Sequence, residues 1–325
     1  MSRQQESRAA DSGEALDFLA AHSQVYLLAR LADGRPTGYP MVGRLAGGGI
    51  EFSTYRKSAK VAKVLRRERA SCLVVPRDGS SERRTLWVCG PVSLRDEQGA
   101  NVSVAQGAAV TGTSTPPGIA VPAAIRDKVR ARHDSGKRCV LRIEVEQARF
   151  ALAARQAGGE RVSSQGDGRP DSARSDGSRC SSAGSSSARP NSACSSSARP
   201  NIAMSPDEID VFLGQRAAVV VVADDPELPA PIAGVAAAAY GNGVIEFELP
   251  ADDPVALALA SDPRTCCIAE QAPSYYEIKA VIVRGVAEPL SAAGPGNVRF
   301  RVQVGEPTSF DFGRLPEAGA GGGAS

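Results

Sequence analysis

Histidine is scarce in this chain of 325 residues, which contains only His22 and His133. The seven cysteines form no C-x-x-C pair and lack the spacing of zinc ligands. Neither histidine stands in a nucleophile–base pattern of the kind that marks acid–base catalysis. We therefore predict no metal site, we name no catalytic residue, and we expect the cysteines to be free thiols in a reducing cytosol.

Long apolar runs are also absent. No stretch of about 18 apolar residues is present, so the sequence predicts no membrane span, and its first residues contain no apolar signal region. A Ser/Arg-containing stretch in the middle of the chain has sparse arginines and no interleaved aromatic residues, which disfavours nucleic-acid binding. The sequence thus predicts a cytoplasmic protein whose partner is a small-molecule substrate, with no nucleic acid and no membrane.

The sequence contains two copies of one module. Residues 22–95 match residues 217–290 without a gap, and each matched residue lies 195 positions after its counterpart. A constant offset over such a span indicates a tandem duplication. The clearest matched pairs are Phe52 and Phe247, Arg69 and Arg264, Cys72 and Cys267, and Gly90 and Gly285.

Composition divides the chain into five parts. In the middle, the heptapeptide Ser-Ser-Ser-Ala-Arg-Pro-Asn occurs twice in a stretch with too few apolar residues to bury a core, which predicts a flexible linker. The polar first residues and the Gly/Ala-rich last residues are expected to be loose for the same reason. The predicted parts are a disordered segment (1–11), a first domain (12–155), a disordered linker (156–203), a second domain (204–315) and a flexible tail (316–325).

Strand-like patterns outnumber helical ones in both modules, which predicts a mainly β fold with short helices. Capping boxes are expected at residues 11–14 and 205–208. The first module is predicted to have strands at 24–31, 39–45, 49–53, 71–75, 85–94 and 138–145, and helices at 15–21, 58–68 and 122–133. The second is predicted to have strands at 218–222, 232–239, 244–248, 265–269, 278–286 and 298–304, and a helix that begins near 252–253.

The two halves carry opposite charge. Residues 14–155 contain 23 Lys and Arg against 13 Asp and Glu, whereas residues 205–312 contain 6 against 16. Chance on two solvated surfaces would account for this asymmetry, but opposite fields also favour association. Because the duplication independently suggests a pseudo-twofold pair, we expect the halves to dock on each other.

The copies differ most in the turn after their third strand. The first copy has hydroxyls and cations there, a combination that can hold a phosphate at a strand-to-helix junction, whereas the second has two carboxylates that would repel one. A solvated basic turn is the alternative interpretation. The candidate residues are Thr54, Arg56, Lys57, Ser58 and Lys60, and their counterparts are Leu249, Ala251, Asp252, Asp253 and Val255.

The run 52–60, with the strands at 71–75 and 86–90, resembles the pyridoxamine 5'-phosphate oxidase-like split-barrel superfamily, which includes flavin- and deazaflavin-dependent reductases common in actinobacteria. The pattern is a strand ending in Thr, the motif T-x-x-x-S-x-K, a helix, a strand that starts with Arg, and a strand that closes on Gly. Ala59 departs from it, because the oxidases proper carry arginine there. The matching residues are Thr54, Ser58, Lys60, Arg69 and Gly90, and the second copy keeps Arg264 and Gly285.

This resemblance implies two tandem six-stranded split β-barrels that pack as a pseudo-dimer with a flavin at their interface. It implies that Thr54, Ser58 and Lys60 hold the cofactor phosphate, helped by Arg56 and Lys57. It also places residues 39–42 along the cofactor ring. Since only the first copy keeps the phosphate-binding residues, we expect one FMN or coenzyme F-420 per chain.

The function implied is that of an oxidoreductase that passes a hydride or an electron pair between this cofactor and a small organic substrate. One alternative is a non-catalytic flavin- or haem-binding protein, although residues 52–60 offer haem iron no axial ligand beyond Tyr55. Another is a structural module whose sites have decayed. The motif does not separate FMN from the deazaflavin, and further self-association of the fused pair stays open.

Overall fold

The computed structural model describes residues 8–9, 11–76, 80–96, 137–153, 202–272, 278–290 and 296–314. The predicted helix at 122–133, residues 156–201 of the predicted linker and the predicted tail at 316–325 lie outside this part of the chain. Residues 1–11 were expected to be disordered, but Arg8–Ala9 forms a short strand that pairs with Arg149 and Phe150. The strand forms because the last strand of the first domain, which the sequence patterns did not predict, offers it a free edge.

Within the described residues, the first half is an antiparallel sheet of nine strands with two helices. The strands are β1 (Arg8–Ala9), β2 (Gln24–Arg30), β3 (Pro36–Val42), β4 (Arg44–Ala46), β5 (Gly49–Tyr55), β6 (Arg69–Val75), β7 (Arg84–Asp96), β8 (Arg138–Glu144) and β9 (Gln147–Leu152). The helices are α1 (Ser12–Ala21) and α2 (Ala59–Leu65). The strand order is β3-β2-β6-β7-β8-β5-β4, and β9 pairs with both β7 and β1.

The second half, in the residues described, is an antiparallel sheet of eight strands with two α-helices. The strands are β10 (Ala218–Ala223), β11 (Ile232–Gly241), β12 (Val244–Pro250), β13 (Arg264–Gln271), β14 (Lys279–Val286), β15 (Glu288–Leu290), β16 (Asn297–Gln303) and β17 (Thr308–Asp311). The helices are α3 (Pro206–Gly214) and α4 (Pro254–Ser261), and a 3-10 turn follows at Phe312–Arg314. The strand order is β15-β16-β12-β11-β10-β13-β14-β17.

The predicted fold class is confirmed: the protein is mainly β, and two curled sheets form two tandem split barrels. All six strands predicted for each half are present, and β12 and β14 lie 195 residues after β5 and the first part of β7. Each half nevertheless has more than six strands, because short edge strands extend the sheets. The sequence patterns did not predict β1, β9, β15 and β17, and they joined β3 to β4 across Gly43.

The last residue of the family pattern, Gly90, is a glycine for a steric reason. At Gly90, strand β7 leaves its partner β9 and begins to pair with β8. A Cβ at this position would lie 1.8 Å from the carbonyl oxygen of Glu144, so a larger residue cannot occupy it without moving the backbone. Gly285 is similarly tight, since a Cβ there would lie 2.8 Å from the Val302 side chain.

The two halves pack against each other through apolar side chains. Six buried residues of the first half join a cluster whose other members come from the second half, and they are Tyr26, Leu28, Leu73, Val75, Trp87 and Cys89. At Gly38 the approach is close, because a Cβ there would lie 2.6 Å from the Ile268 side chain. The core of the second half therefore extends across the interface into the first half, whose other buried residues form a separate cluster.

Polar contacts reinforce this interface and match its charge asymmetry. The Arg30 guanidinium pairs with the Asp224 carboxylate, with 2.7 Å between Arg30 Nε and Asp224 Oδ1, and it also donates to the Pro229 carbonyl. The Pro231 carbonyl accepts from Ser71 Oγ at 2.5 Å and from Trp87 Nε1 at 3.0 Å. In these contacts, donors of the first half meet a carboxylate and carbonyls of the second.

Candidate functional site

The five candidate residues lie where strand β5 passes into helix α2. Thr54 is buried near the end of β5, Arg56 and Lys57 are exposed in the turn, and Ser58 is the N-cap of α2. Lys60 is in the first turn of the helix. We refer to Thr54, Ser58 and Lys60 as the cradle.

Helix α2 is shorter than predicted. It ends at Leu65 rather than Glu68, because Glu68 adopts a positive φ of 57° that turns the chain into β6. The seven-residue helix keeps its apolar face buried through Val61 and Val64. This packing fixes the position of Lys60 relative to the strands beneath it.

The two cradle hydroxyls are buried and have no hydrogen-bond partner among the described residues. These atoms are Thr54 Oγ1 and Ser58 Oγ. A serine at an N-cap ordinarily accepts a hydrogen bond from a backbone N–H of the first turn, but the Ser58 side chain makes no such bond. An unsatisfied buried hydroxyl costs about 1–3 kcal/mol, so two together indicate a site shaped for a ligand.

The Lys60 side chain is half-buried, and no described carboxylate lies within ion-pair distance of its ammonium. In the described part of the chain, its Nζ donates to the thioether sulfur of Met41 at 3.1 Å, and sulfur is a weak acceptor. Burial, together with the nearby positive charge of Arg138, lowers the pKa of Lys60 to about 8. An anion at this position would relieve both effects.

Arg138 is a neighbour of the cradle that the sequence motif did not reveal. It lies on β8 directly opposite Tyr55, it donates from Nε to Ser53 Oγ at 3.0 Å, and its guanidinium lies 5.5 Å from the Tyr55 ring centre. The strand pattern at 138–145 predicted β8, but no local signal linked it to a turn some eighty residues earlier. Long-range strand pairing brought the two together.

In the second half, the positions that correspond to the cradle are filled by apolar and capping side chains. Leu249 and Val255, which replace Thr54 and Lys60, are each 2% exposed and belong to the apolar core. Asp253, which replaces Ser58, accepts a hydrogen bond from the Val255 N–H at 2.8 Å and so caps helix α4. Burial raises the pKa of this carboxyl. No hydroxyl or lysine of this second turn is left to bind an anion.

Strand β3 connects the cradle with the second half. Toward the end of β3, Met41 accepts from Lys60 Nζ, and the Tyr39 hydroxyl accepts from Lys63 Nζ at 2.8 Å. Near its start, Thr37 Oγ1 accepts from Arg284 Nε of the second half at 3.1 Å. The cradle is therefore one strand away from the interface between the halves.

Other chemistry is sparse in the described residues. They contain no group of three His, Cys, Asp or Glu residues that could hold a metal ion. His22 caps the end of α1 and lies 4.4 Å from the Phe18 ring, centre to centre, while His133 lies outside the described residues. Of the seven cysteines, five are described as buried free thiols, and no described helix is long and apolar enough to cross a membrane.

The cradle fits a phosphate monoester by the chemistry of its donors. Two hydroxyls and one ammonium can donate to phosphate oxygens, and the ammonium supplies the charge that a buried anion needs. Arg56 and Lys57 lie beside the cradle, where they can attract an anion without being buried.

No family model and no curated protein matches the chain. Solved structures similar to part of it include a conserved hypothetical protein, Rv2991, from Mycobacterium tuberculosis, at 23% identity and a TM-score of 0.33, over 38% of this chain and 96% of that one. A second is an FAD-binding protein from Mycobacterium smegmatis, at 17% identity and a TM-score of 0.29, over 34% and 98%. A third, an F420 reductase, has 16% identity and a TM-score of 0.27, over 41% and 93%.

The alignments are too partial to carry an argument about function, so classification depends on the chain's own features. The cradle residues occupy the positions of the T-x-x-x-S-x-K motif, and Gly90 has a backbone reason to be glycine. The main strands of the first half also recur in the second half at a constant offset in the sequence. By sequence motif and by fold, the chain resembles a tandem pair of pyridoxamine 5'-phosphate oxidase-like split barrels.

Proposed function

We propose that this protein is an oxidoreductase that uses FMN or coenzyme F-420 and acts on a small organic substrate. One cofactor would bind per chain, with its phosphate in the cradle and the rest directed along β3 toward the interface between the halves. The observation that carries the proposal is the pair of buried hydroxyls, Thr54 Oγ1 and Ser58 Oγ, which have no hydrogen-bond partner among the described residues. They lie beside the half-buried Lys60, with which no described carboxylate pairs.

The residues of the chain would serve binding and orientation. The cradle holds the phosphate, and Tyr39 and Met41 on β3 are near enough to Lys63 and Lys60 to border the same cofactor. When bound, a flavin or deazaflavin supplies the hydride chemistry, which leaves the protein to position the substrate and exclude water. The lack of an acid–base pair among the described residues is compatible with this division of labour.

The second half would provide a wall and no second site. Its cradle positions are filled by Leu249 and Val255, so it offers no donors for a phosphate. The solved structures named above include an FAD-binding protein and an F420 reductase, which agrees with a cofactor of the flavin type. The five described free thiols further suit a reducing cytosol.

The decisive experiment is an absorbance spectrum of the full-length protein purified from a host that makes both FMN and F-420, followed by mass analysis of the ligand released on denaturation. We expect a flavin-type spectrum with one cofactor per chain. A bound cofactor that no reductant or candidate substrate can turn over would favour a non-catalytic flavin-binding protein. A colourless protein that also fails to bind either added cofactor would refute the proposal.

A pair of matched variants assigns the site. Lys60→Ala combined with Arg56→Ala should lower cofactor affinity at least a hundredfold, because the ammonium and a neighbouring guanidinium are lost together. Asp252→Ala, at the position in the second half that corresponds to Lys57, should leave affinity within twofold. If the first variant binds cofactor as the parent does, the cradle is not the phosphate site.

A further inference from the structure

A second group of cations lines a small pocket between the two halves. Lys63, Arg67 and Arg69 contribute from the first half, and Ala230 and Pro231 close the pocket from the second. We call this the interface pocket. Lys60 of the cradle is not among its lining residues.

Few negative charges face the interface pocket. Arg69 Nη2 pairs with the Glu146 carboxylate at 2.5 Å. Arg30 also borders the pocket, but Asp224 already neutralises it. Lys63 donates to the neutral Tyr39 hydroxyl, and no described carboxylate is within ion-pair distance of Arg67. Three cations thus share one carboxylate, which leaves an excess of two positive charges.

Arg69, which lines the pocket, has one donor atom without a strong acceptor. Its Nε is buried and forms no hydrogen bond of ordinary geometry among the described residues. The guanidinium lies beside the Cys89 thiol, and its other end is held by Glu146. A buried N–H of a guanidinium is a strong donor whose desolvation costs free energy until an acceptor is present. A thiol is a weak acceptor, so an anion bound beside Arg69 would satisfy this guanidinium better than the Cys89 sulfur does.

The pseudo-twofold relation supplies an internal comparison. Arg264 is the counterpart of Arg69, and it is fully paired: Asp262 accepts from its Nε at 2.9 Å and from its Nη2 at 2.5 Å. Arg67 is the counterpart of Asp262, and Lys63 is the counterpart of Ala258. Arg264 thus has its own carboxylate, Asp262. Beside Arg69, the position of that carboxylate is taken by Arg67, and Lys63 adds a further positive charge.

We propose that the interface pocket is a second anion site, which binds one phosphate group that is either free or carried by a monoester. An excess of two positive charges suits a dianion better than a carboxylate, and guanidinium groups recognise phosphate oxygens with two parallel hydrogen bonds. Because Ala230 and Pro231 belong to the second half, such an anion would bind where the halves meet. This site is independent of the cradle and of the cofactor assignment above.

Arg67→Asp tests the site, because it recreates at Arg69 the pattern that Asp262 and Arg264 form in the second half. The carboxylate would then satisfy Arg69 internally, so the fold should be retained and the anion displaced. Arg66→Asp is the matched control, since it makes the same charge change at an exposed neighbour that does not line the pocket. Both changes are made in full-length protein whose cradle is disabled by Thr54→Val and Lys60→Met.

The measurement is calorimetric titration with inorganic phosphate at constant ionic strength, repeated with phenyl phosphate. We expect one phosphate per chain in the cradle-disabled protein, at least tenfold weaker binding after Arg67→Asp, and less than a twofold change after Arg66→Asp. Tighter binding of phenyl phosphate would identify a monoester as the natural ligand, and tighter binding of inorganic phosphate would identify the free ion.

The idea fails if the cradle-disabled protein shows no saturable phosphate binding, or if Arg67→Asp and Arg66→Asp weaken binding equally. Native fluorescence of Trp87, which contacts Pro231 beside the pocket, shows that each variant keeps the interface. If phosphate binds here while the parent protein binds no flavin-type cofactor, this site stands and the proposed function falls.

Discussion

The Thr54 hydroxyl is buried and has no hydrogen-bond partner among the described residues. Its removal should therefore affect the stability of the protein and its cofactor affinity in opposite directions. Thr54→Val should leave the cofactor-free protein as stable as the parent or up to about 1 kcal/mol more stable, since an unsatisfied hydroxyl is replaced by a methyl group of similar shape. Cofactor affinity should fall by about 10–100-fold, because a hydrogen bond to a charged group is lost. Urea unfolding and cofactor titration measure the two effects.

Thr265→Val is the control for Thr54→Val, because Thr265 is equally buried but its Oγ1 donates to the Val222 carbonyl at 2.9 Å. This change should lower the free energy of unfolding by about 1 kcal/mol and leave cofactor affinity unchanged. If Thr54→Val destabilises the protein as much as Thr265→Val does, the Thr54 hydroxyl has a structural partner and its assignment to the cradle is wrong.

Lys60 should make cofactor binding depend on pH. Burial lowers the pKa of Lys60 from 10.5 to about 8 in the protein without ligand, and the negative charge of a bound phosphate would raise it again. Binding then takes up a proton above pH 8, so affinity should be constant from about pH 7 to 8 and fall by up to tenfold per pH unit above it. Cofactor titrations between pH 7 and pH 9.5 measure this slope.

Lys60→Arg distinguishes this titration from a general alkaline effect, since a guanidinium stays protonated throughout that range. The variant should bind with an affinity that is nearly flat up to pH 9.5, even if the different side-chain shape weakens binding overall. A parent protein whose affinity does not fall above pH 8, or a variant whose affinity falls with the same slope, would contradict the role given to Lys60.

At the scale of secondary-structure elements, α2 and α4 begin in the same way but use their N-cap residues differently. Ser58 makes no capping hydrogen bond, whereas the Asp253 carboxylate accepts from the Val255 N–H. Ser58→Ala should therefore cost less than about 0.5 kcal/mol of stability but weaken cofactor binding by about tenfold or more. Asp253→Ala should cost about 0.5–2 kcal/mol and leave cofactor binding unchanged.

Thermal or urea unfolding and a cofactor titration on both proteins complete this comparison. We expect Ser58→Ala to change cofactor binding and Asp253→Ala to change stability. If both alanine variants lose stability equally and neither changes affinity, the two helix starts serve the same structural purpose, and the first half has no phosphate site at Ser58.

The same elements show what sequence patterns can predict. Alternation of apolar residues located the six main strands of each half, because burial of one sheet face imposes a period of two. Local chemistry was less reliable: capping boxes were expected at residues 11–14 and 205–208, but only Ser205 accepts the bond, and the Asp11 side chain makes none. Cap geometry depends on the approach of the preceding chain, which the sequence does not reveal.

The candidate site shows a similar division. The motif predicted which residues of the β5–α2 turn would come together, since they are close in sequence. It missed Arg138, which only the pairing of β5 with β8 brings near Lys60. It also missed Arg69, whose buried Nε lacks the carboxylate that pairs with Nε of its counterpart Arg264. Contacts between distant segments follow from sheet register and docking, which local spacing does not encode.

At the scale of the whole molecule, the interface makes the two halves depend on each other. Arg30 and Asp224, whose side chains are 10% and 16% exposed, form its main ion pair. Arg30→Met would leave the Asp224 carboxylate and the Pro229 carbonyl without their guanidinium donor, so we expect a loss of about 2–4 kcal/mol of stability. Arg301→Met breaks a pair that is 53% and 58% exposed, and it should cost less than about 1 kcal/mol.

Trp87 is the only tryptophan of the chain and lies at this interface, where it is 3% exposed and donates to the Pro231 carbonyl. Its fluorescence therefore reports docking, whereas far-ultraviolet circular dichroism reports both sheets. Because the core of the second half includes buried side chains of the first half, the two signals should follow a single urea transition with one midpoint. Arg30→Met should move the fluorescence midpoint to lower urea, and Arg301→Met should leave it nearly in place. If in the parent protein the fluorescence changes well before the dichroism does, the halves unfold separately, and the shared core contributes too little free energy to couple them.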